Sequence, residues 1–91
     1  MADEKIFEAK LVKAVKEKGG MAIKVTSQYH RGLPDRLVLL PAGRAEWVEV
    51  KSSGKKPTKL QVLTHDRLRA LGQKVSVVGT SEELEEYKKT L

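Results

Sequence analysis

Cysteine is absent from this chain, which excludes disulfides and thiolate-bound zinc. That absence fits an intracellular protein; the cytoplasm is the expected location, with bacterial and viral origins both open. Long apolar runs are absent too. No stretch approaches the ~20 residues of a membrane span, and the opening Met-Ala-Asp-Glu-Lys lacks the apolar core of a signal peptide, so no membrane partner is expected. There is no internal repeat, linker or low-complexity tract. The 91 residues make one domain, residues 1–91. A domain so small buries only a modest share of its surface and would gain stability from a second copy. Positive charge, by contrast, is in excess. Lys and Arg number 18 against 12 Asp and Glu, giving a net charge of +6 and a pI near 9.7. Such a surface concentrates polyanions such as nucleic acid, although the same charge also serves ordinary solubility.

The apolar pattern predicts the order αβββαβα. Residues 4–18 form a helix with Phe7, Leu11, Ala14 and Val15 on one stripe, ended by Gly19-Gly20. Residues 21–26 alternate as a strand, Met21, Ile23 and Val25 facing one way. Residues 27–33 are polar and form an exposed loop. Residues 35–40 and 44–51 are strands joined by Pro41-Ala42-Gly43, the first apolar enough to be covered on both faces. A basic loop over 52–57 leads to a helix from Thr58 to about Leu71, with Leu60, Leu63, Leu68 and Leu71 on its buried side. Gly72 terminates it. A strand over 74–78 follows. A short charged helix then opens at Thr80, with Glu83 at capping-box spacing. The expected fold is α/β, a mixed sheet flanked by helices, with the last strand parallel to a neighbour.

Chemistry concentrates in Gly32-Leu33-Pro34-Asp35 and Glu49-Val50-Lys51. Residues i and i+2 of a strand share a face, so Glu49 and Lys51 point together. If Pro41-Ala42-Gly43 is a three-residue loop with Gly43 left-handed, Leu40 pairs with Arg44 and Asp35 with Glu49. A two-residue loop would instead send Asp35 to the other face. Paired carboxylates repel, and one protonates unless a cation joins them. Lys51 supplies one charge. A hard divalent ion, Mg2+ or Mn2+, suits the remaining oxygens and would activate water against a phosphoryl group. Alone, Asp after Pro is a common turn residue, and Glu-x-Lys a solvated ion pair. Their occurrence together on adjacent strands favours function.

Asp35, Glu49-Val50-Lys51 and the element order resemble the PD-(D/E)xK nuclease superfamily, whose core is restriction-endonuclease-like. Gly32-Leu33-Pro34-Asp35-Arg36, Trp47-Val48-Glu49-Val50-Lys51 and Leu60-Gln61 resemble more narrowly its virus-type replication-repair nuclease (VRR-NUC) domain. The likeness includes the first helix with Glu8 and the Leu71-Gly72 helix end, and it spans nearly the whole chain. It implies that Asp35, Glu49 and the Val50 carbonyl bind metal, that Lys51 is the catalytic lysine, and that Glu8 and Gln61 complete the site. Read alone, Glu8 is a rim carboxylate paired with a lysine, and Gln61 forms a capping box with Thr58.

Lys55, Lys56 and Lys59, at a helix N-terminus, suit phosphate. Arg31, with Tyr29 and His30, reaches from the loop toward backbone or base. Neither histidine has a ligand-spaced partner, and His65 is expected at the surface. The resemblance implies a metal-dependent, structure-selective DNA endonuclease that cuts four-way (Holliday) junctions as a homodimer. The expected contact surfaces are the outer face of the first helix around Ile6 and the loop from Ser27 to Arg31. The alternatives are a monomeric flap or nick nuclease, and a non-catalytic basic module that only binds nucleic acid.

Overall fold

The computed structural model describes residues 2–91. Its elements are α1 (Ala2–Glu17), β1 (Met21–Lys24), β2 (Arg36–Leu40), β3 (Arg44–Val50), α2 (Lys59–Ala70), β4 (Val75–Val78) and α3 (Ser81–Lys89). This is the expected order. The sheet runs β1-β2-β3-β4. β1–β2 and β2–β3 are antiparallel, and β3–β4 is parallel, joined by the α2 crossover. At the β2–β3 turn Gly43 is left-handed, φ +76°, and Ala42 shares that region at +66°. A left-handed alanine costs roughly 1–2 kcal/mol, and the register it secures is the one the site requires. Leu40 pairs with Arg44 and Arg36 with Val48.

One face of the sheet carries α1 and α3. Phe7, Leu11, Val15, Leu84 and Tyr87 pack there against Val38, Leu40, Val48, Val50 and Val78. The helical stripe read from sequence is buried in full, Ala14 included. Burying a side chain such as Leu11 contributes about 1.5–3 kcal/mol, so this layer holds the fold.

The opposite face departs from expectation. Among the described residues it carries only α2, about 10 Å across, over four strands spaced about 4.8 Å apart. One helix cannot cover that width. β2 is therefore fully covered on one face only: Val38 and Leu40 are buried while Leu37 and Leu39 are half-buried. Met21 and Ile23 on β1 are exposed. Nor is α2 seated on its leucines, Leu68 excepted. Leu60, Leu63 and Leu71 are 46%, 64% and 77% exposed, and the less exposed side is Gln61, Thr64, His65 and Leu68. These sit at i, i+3, i+4 and i+7, one helical face. That face is polar because it meets a polar part of the sheet. The α3 cap also differs in detail. Thr80 accepts from the Glu83 N–H at 3.0 Å, but the Glu83 carboxylate takes the Gly79 N–H at 2.8 Å, so the reciprocal bond falls one residue early.

Candidate active site

Three elements converge at the end of β3. The first is the segment leading into β2. Gly32 has φ +83°, and a Cβ there would lie 2.8 Å from the Leu60 carbonyl oxygen and 2.7 Å from Thr64 Oγ1. Only glycine lets this loop lie so close to α2. Thr64 Oγ1 donates to the Arg31 carbonyl at 2.8 Å and ties the loop down. Pro34 is fully buried, and Asp35 follows it. Val50 lies beyond the last β2 pairing, Arg36 with Val48. Its N–H donates instead to Asp35 Oδ2 at 2.8 Å. The Asp35 carboxylate thus stands in for a missing strand partner.

The second element is β3 itself. Glu49 is 1% exposed, and Lys51 Nζ lies 3.3 Å from its Oε2, as two side chains on one strand face should. The third is the first turn of α2. Gln61 fills two roles at once. Its Oε1 accepts from the Thr58 N–H at 2.9 Å while Thr58 Oγ1 accepts from the Gln61 N–H at 3.2 Å, closing the capping box. Its Nε2 donates to Glu49 Oε2 at 3.3 Å.

One turn further along α2 is His65, expected at the surface but 1% exposed. Its Nε2 lies 3.7 Å from Glu49 Oε1. The spacing from Gln61 is i, i+4, so both must share a face. Projecting the helix from Gln61 rather than from its leucines would have revealed this.

Burial and the Asp35 charge push the Glu49 carboxyl up to about 7, and Lys51 only partly offsets them. Glu46, also buried on β3, makes the contrast. Both of its oxygens are engaged, by the Tyr87 hydroxyl at 2.6 Å, Lys74 at 3.4 Å and Arg44 at 3.3 Å. Glu49 Oε1 has no hydrogen-bond partner among the described residues. A buried carboxylate with one oxygen unpartnered and a second carboxylate beside it is what a hard divalent ion would relieve. Among the described residues no cluster of three or more His, Cys, Asp or Glu is placed to hold a metal. Two carboxylates completed by carbonyl, water and phosphate oxygens are a shell of the kind Mg2+ takes, so the residues present fit such an ion. The Val50 side chain belongs to the core, and its backbone lies between Glu49 and Lys51.

Glu8 pairs with Arg36 at 3.0 Å, both partly buried, and Arg36 also donates to the Ala22 carbonyl at 3.2 Å. The structure joins Glu8 to the residue after Asp35, through an arginine rather than the lysine expected. Lys55, Lys56 and Lys59 are exposed around the start of α2. Arg31 is exposed in a groove of about 570 Å³ between its loop and α2, lined also by Tyr29, His30 and Arg67.

No family model matches the chain. A curated relative, "Putative nuclease p44" of Acyrthosiphon pisum secondary endosymbiont phage 1, is 46% identical over 79 residues, 87% of this chain and 85% of that protein. A solved structure described as "VRR_NUC domain" superposes with a TM-score of 0.89 at 31% identity, covering 96% of this chain and 95% of that one. With the fold, the length and the nuclease relative in agreement, this chain belongs to the VRR_NUC nuclease family, with its restriction-endonuclease-like fold.

Proposed function

We propose that this nuclease is a structure-selective DNA endonuclease that uses Mg2+ or Mn2+ and cuts branched DNA such as four-way junctions as a homodimer. The observation that carries the reading is the convergence of Asp35 and Lys51 on buried Glu49, with Lys51 on Oε2 and Oε1 left without a partner among the described residues. In this reading Asp35, Glu49 and the Val50 carbonyl hold the ion. When bound, the ion polarises a phosphoryl oxygen and lowers the pKa of water. Lys51, anchored on Glu49, orients the attacking water or stabilises charge developing on the phosphate. Gln61 braces Glu49 from α2. Glu8 fixes Arg36 and, through it, the end of β2 that presents Asp35. Arg31, Lys55, Lys56 and Lys59 hold phosphates on either side.

Two symmetric cuts across a junction suit a twofold pair of sites. Exposed apolar residues available to a second copy are Ile6 on α1, Tyr29 in the loop, and Met21 and Ile23 on β1. The phage origin of the relative supports action inside an infected cell.

The test is incubation with labelled linear, flap and four-way-junction DNA, with and without Mg2+ or Mn2+, beside light scattering at micromolar concentration. We expect a dimer and metal-dependent junction cutting. Flap cutting by a strict monomer would replace this reading with a flap nuclease. DNA binding without cleavage or Mn2+ binding would reduce the chain to a binding module. Lys51→Arg should fail to cleave while still binding DNA, because a guanidinium is larger, planar and keeps its proton. Cleavage by that variant near the wild-type rate would leave Lys51 only a charge to supply.

A further inference from the structure

Glu49 is supported unevenly. Each carboxylate oxygen carries two acceptor sites. Those of Oε2 are met by Lys51 Nζ and Gln61 Nε2, each at 3.3 Å. Those of Oε1 are unmet among the described residues; beside the Asp35 carboxylate that crowds Glu49, His65 Nε2 lies 3.7 Å from Oε1, itself buried and without a partner there. Two buried orphans facing each other are costly if both are acceptors, because lone pairs would then oppose in a low dielectric. The cost disappears if the neutral imidazole carries its proton on Nε2.

We infer that His65 is a positioning residue for Glu49, donating its Nε2–H to Oε1 so that the remaining lone pair of that oxygen is aimed at a divalent ion. The inference rests on the metal-binding reading above, and adds a residue that the sequence placed at the surface. The separation exceeds a normal N–H···O distance of about 2.9 Å by less than 1 Å, within reach of a small rotation of either side chain. Ligating carboxylates are commonly held by such outer hydrogen bonds, whose loss costs roughly 10–100-fold in metal affinity. Gly32 supports the arrangement from outside, since its close approach to Leu60 and Thr64 holds the loop against the helix that carries His65.

The hydrogen bond can be tested without metal. Imidazole nitrogen NMR at neutral pH should find the Nε2-protonated tautomer at His65, with a resonance that shifts in Glu49→Gln. The Nδ1-protonated tautomer would overturn the inference. The second measurement is Mn2+ affinity by calorimetry. His65→Phe keeps a flat buried ring but no donor and should bind Mn2+ at least ~10-fold more weakly. His65→Gln restores a donor and should recover most of that loss. DNA affinity in EDTA should stay unchanged in both. A folded His65→Phe protein with wild-type Mn2+ affinity would show that His65 merely fills space. If the wild type itself bound no Mn2+, the metal reading would fall, and the tautomer would still decide the hydrogen bond.

Discussion

At the scale of single residues, the site trades stability for chemistry, and the trade can be measured. Glu49 has a folded pKa near 7 against 4.5 for the free group. A carboxyl whose pKa is raised by folding contributes stability that is fully present below about pH 4.5, and loses it as pH climbs through 7. The shift corresponds to an effect on the order of 3 kcal/mol. In EDTA, the urea midpoint should therefore fall between pH 4.5 and pH 8 in the wild type and stay flatter in Glu49→Gln; parallel curves would contradict the origin given for the shift. Asp35 behaves differently, because its Oδ2 accepts from the Val50 N–H. Asp35→Ala should abolish cleavage and also cost about 1–3 kcal/mol by orphaning that donor. Asp35→Asn keeps an acceptor and should abolish cleavage with a smaller loss of stability. Chemical denaturation of the two variants separates the roles.

At the scale of elements, the most informative one is α2, where sequence reading succeeded at the ends and failed along the face. Thr58-x-x-Gln61 was legible because capping is local chemistry. The leucines misled because a buried stripe is assumed to be apolar. Here the sheet beneath α2 presents Glu49, and the helix answers with Gln61 and His65. The β2–β3 hairpin was legible for the opposite reason. Gly43 fixes the turn, the turn fixes the register, and the register brings Asp35 beside Glu49. What could not be read was the width of sheet left bare, since that depends on how far one helix reaches. Because the cap and the site share Gln61, Thr58→Ala should do more than remove a cap. It should cost about 1 kcal/mol, within the 0.5–2 kcal/mol usual for a lost N-cap, and also weaken Mn2+ binding by loosening the donor to Glu49. A thermal shift with unchanged Mn2+ affinity would mean that Gln61 keeps its place without the box.

At the scale of the whole molecule, charge and shape divide the surface. The net charge of +6 is a property of composition and was plain from the start. Its usefulness depends on where the lysines fall. Lys55 and Lys56 lie in the loop that leaves β3 just beyond Lys51, and line a cleft with Gly79 and Thr80. Lys59 is the first residue of α2, where helix N–H groups add to the positive field. All three are exposed, and an exposed lysine is as often solvated as bound. The distinction lies in counterions. A lysine that neutralises a phosphate releases a condensed cation, and steepens the log–log salt dependence of affinity by about 0.9 for duplex DNA. The triple variant Lys55→Ala, Lys56→Ala, Lys59→Ala should therefore bind linear and branched DNA more weakly by a similar factor. Its salt slope should be shallower by about 2–3, and the residues around Glu49 undisturbed. Fluorescence anisotropy in EDTA from low to moderate salt measures this apart from cleavage. An unchanged slope would assign the three lysines to solvation and shift phosphate binding to the groove lined by Arg31, Arg67 and Tyr29.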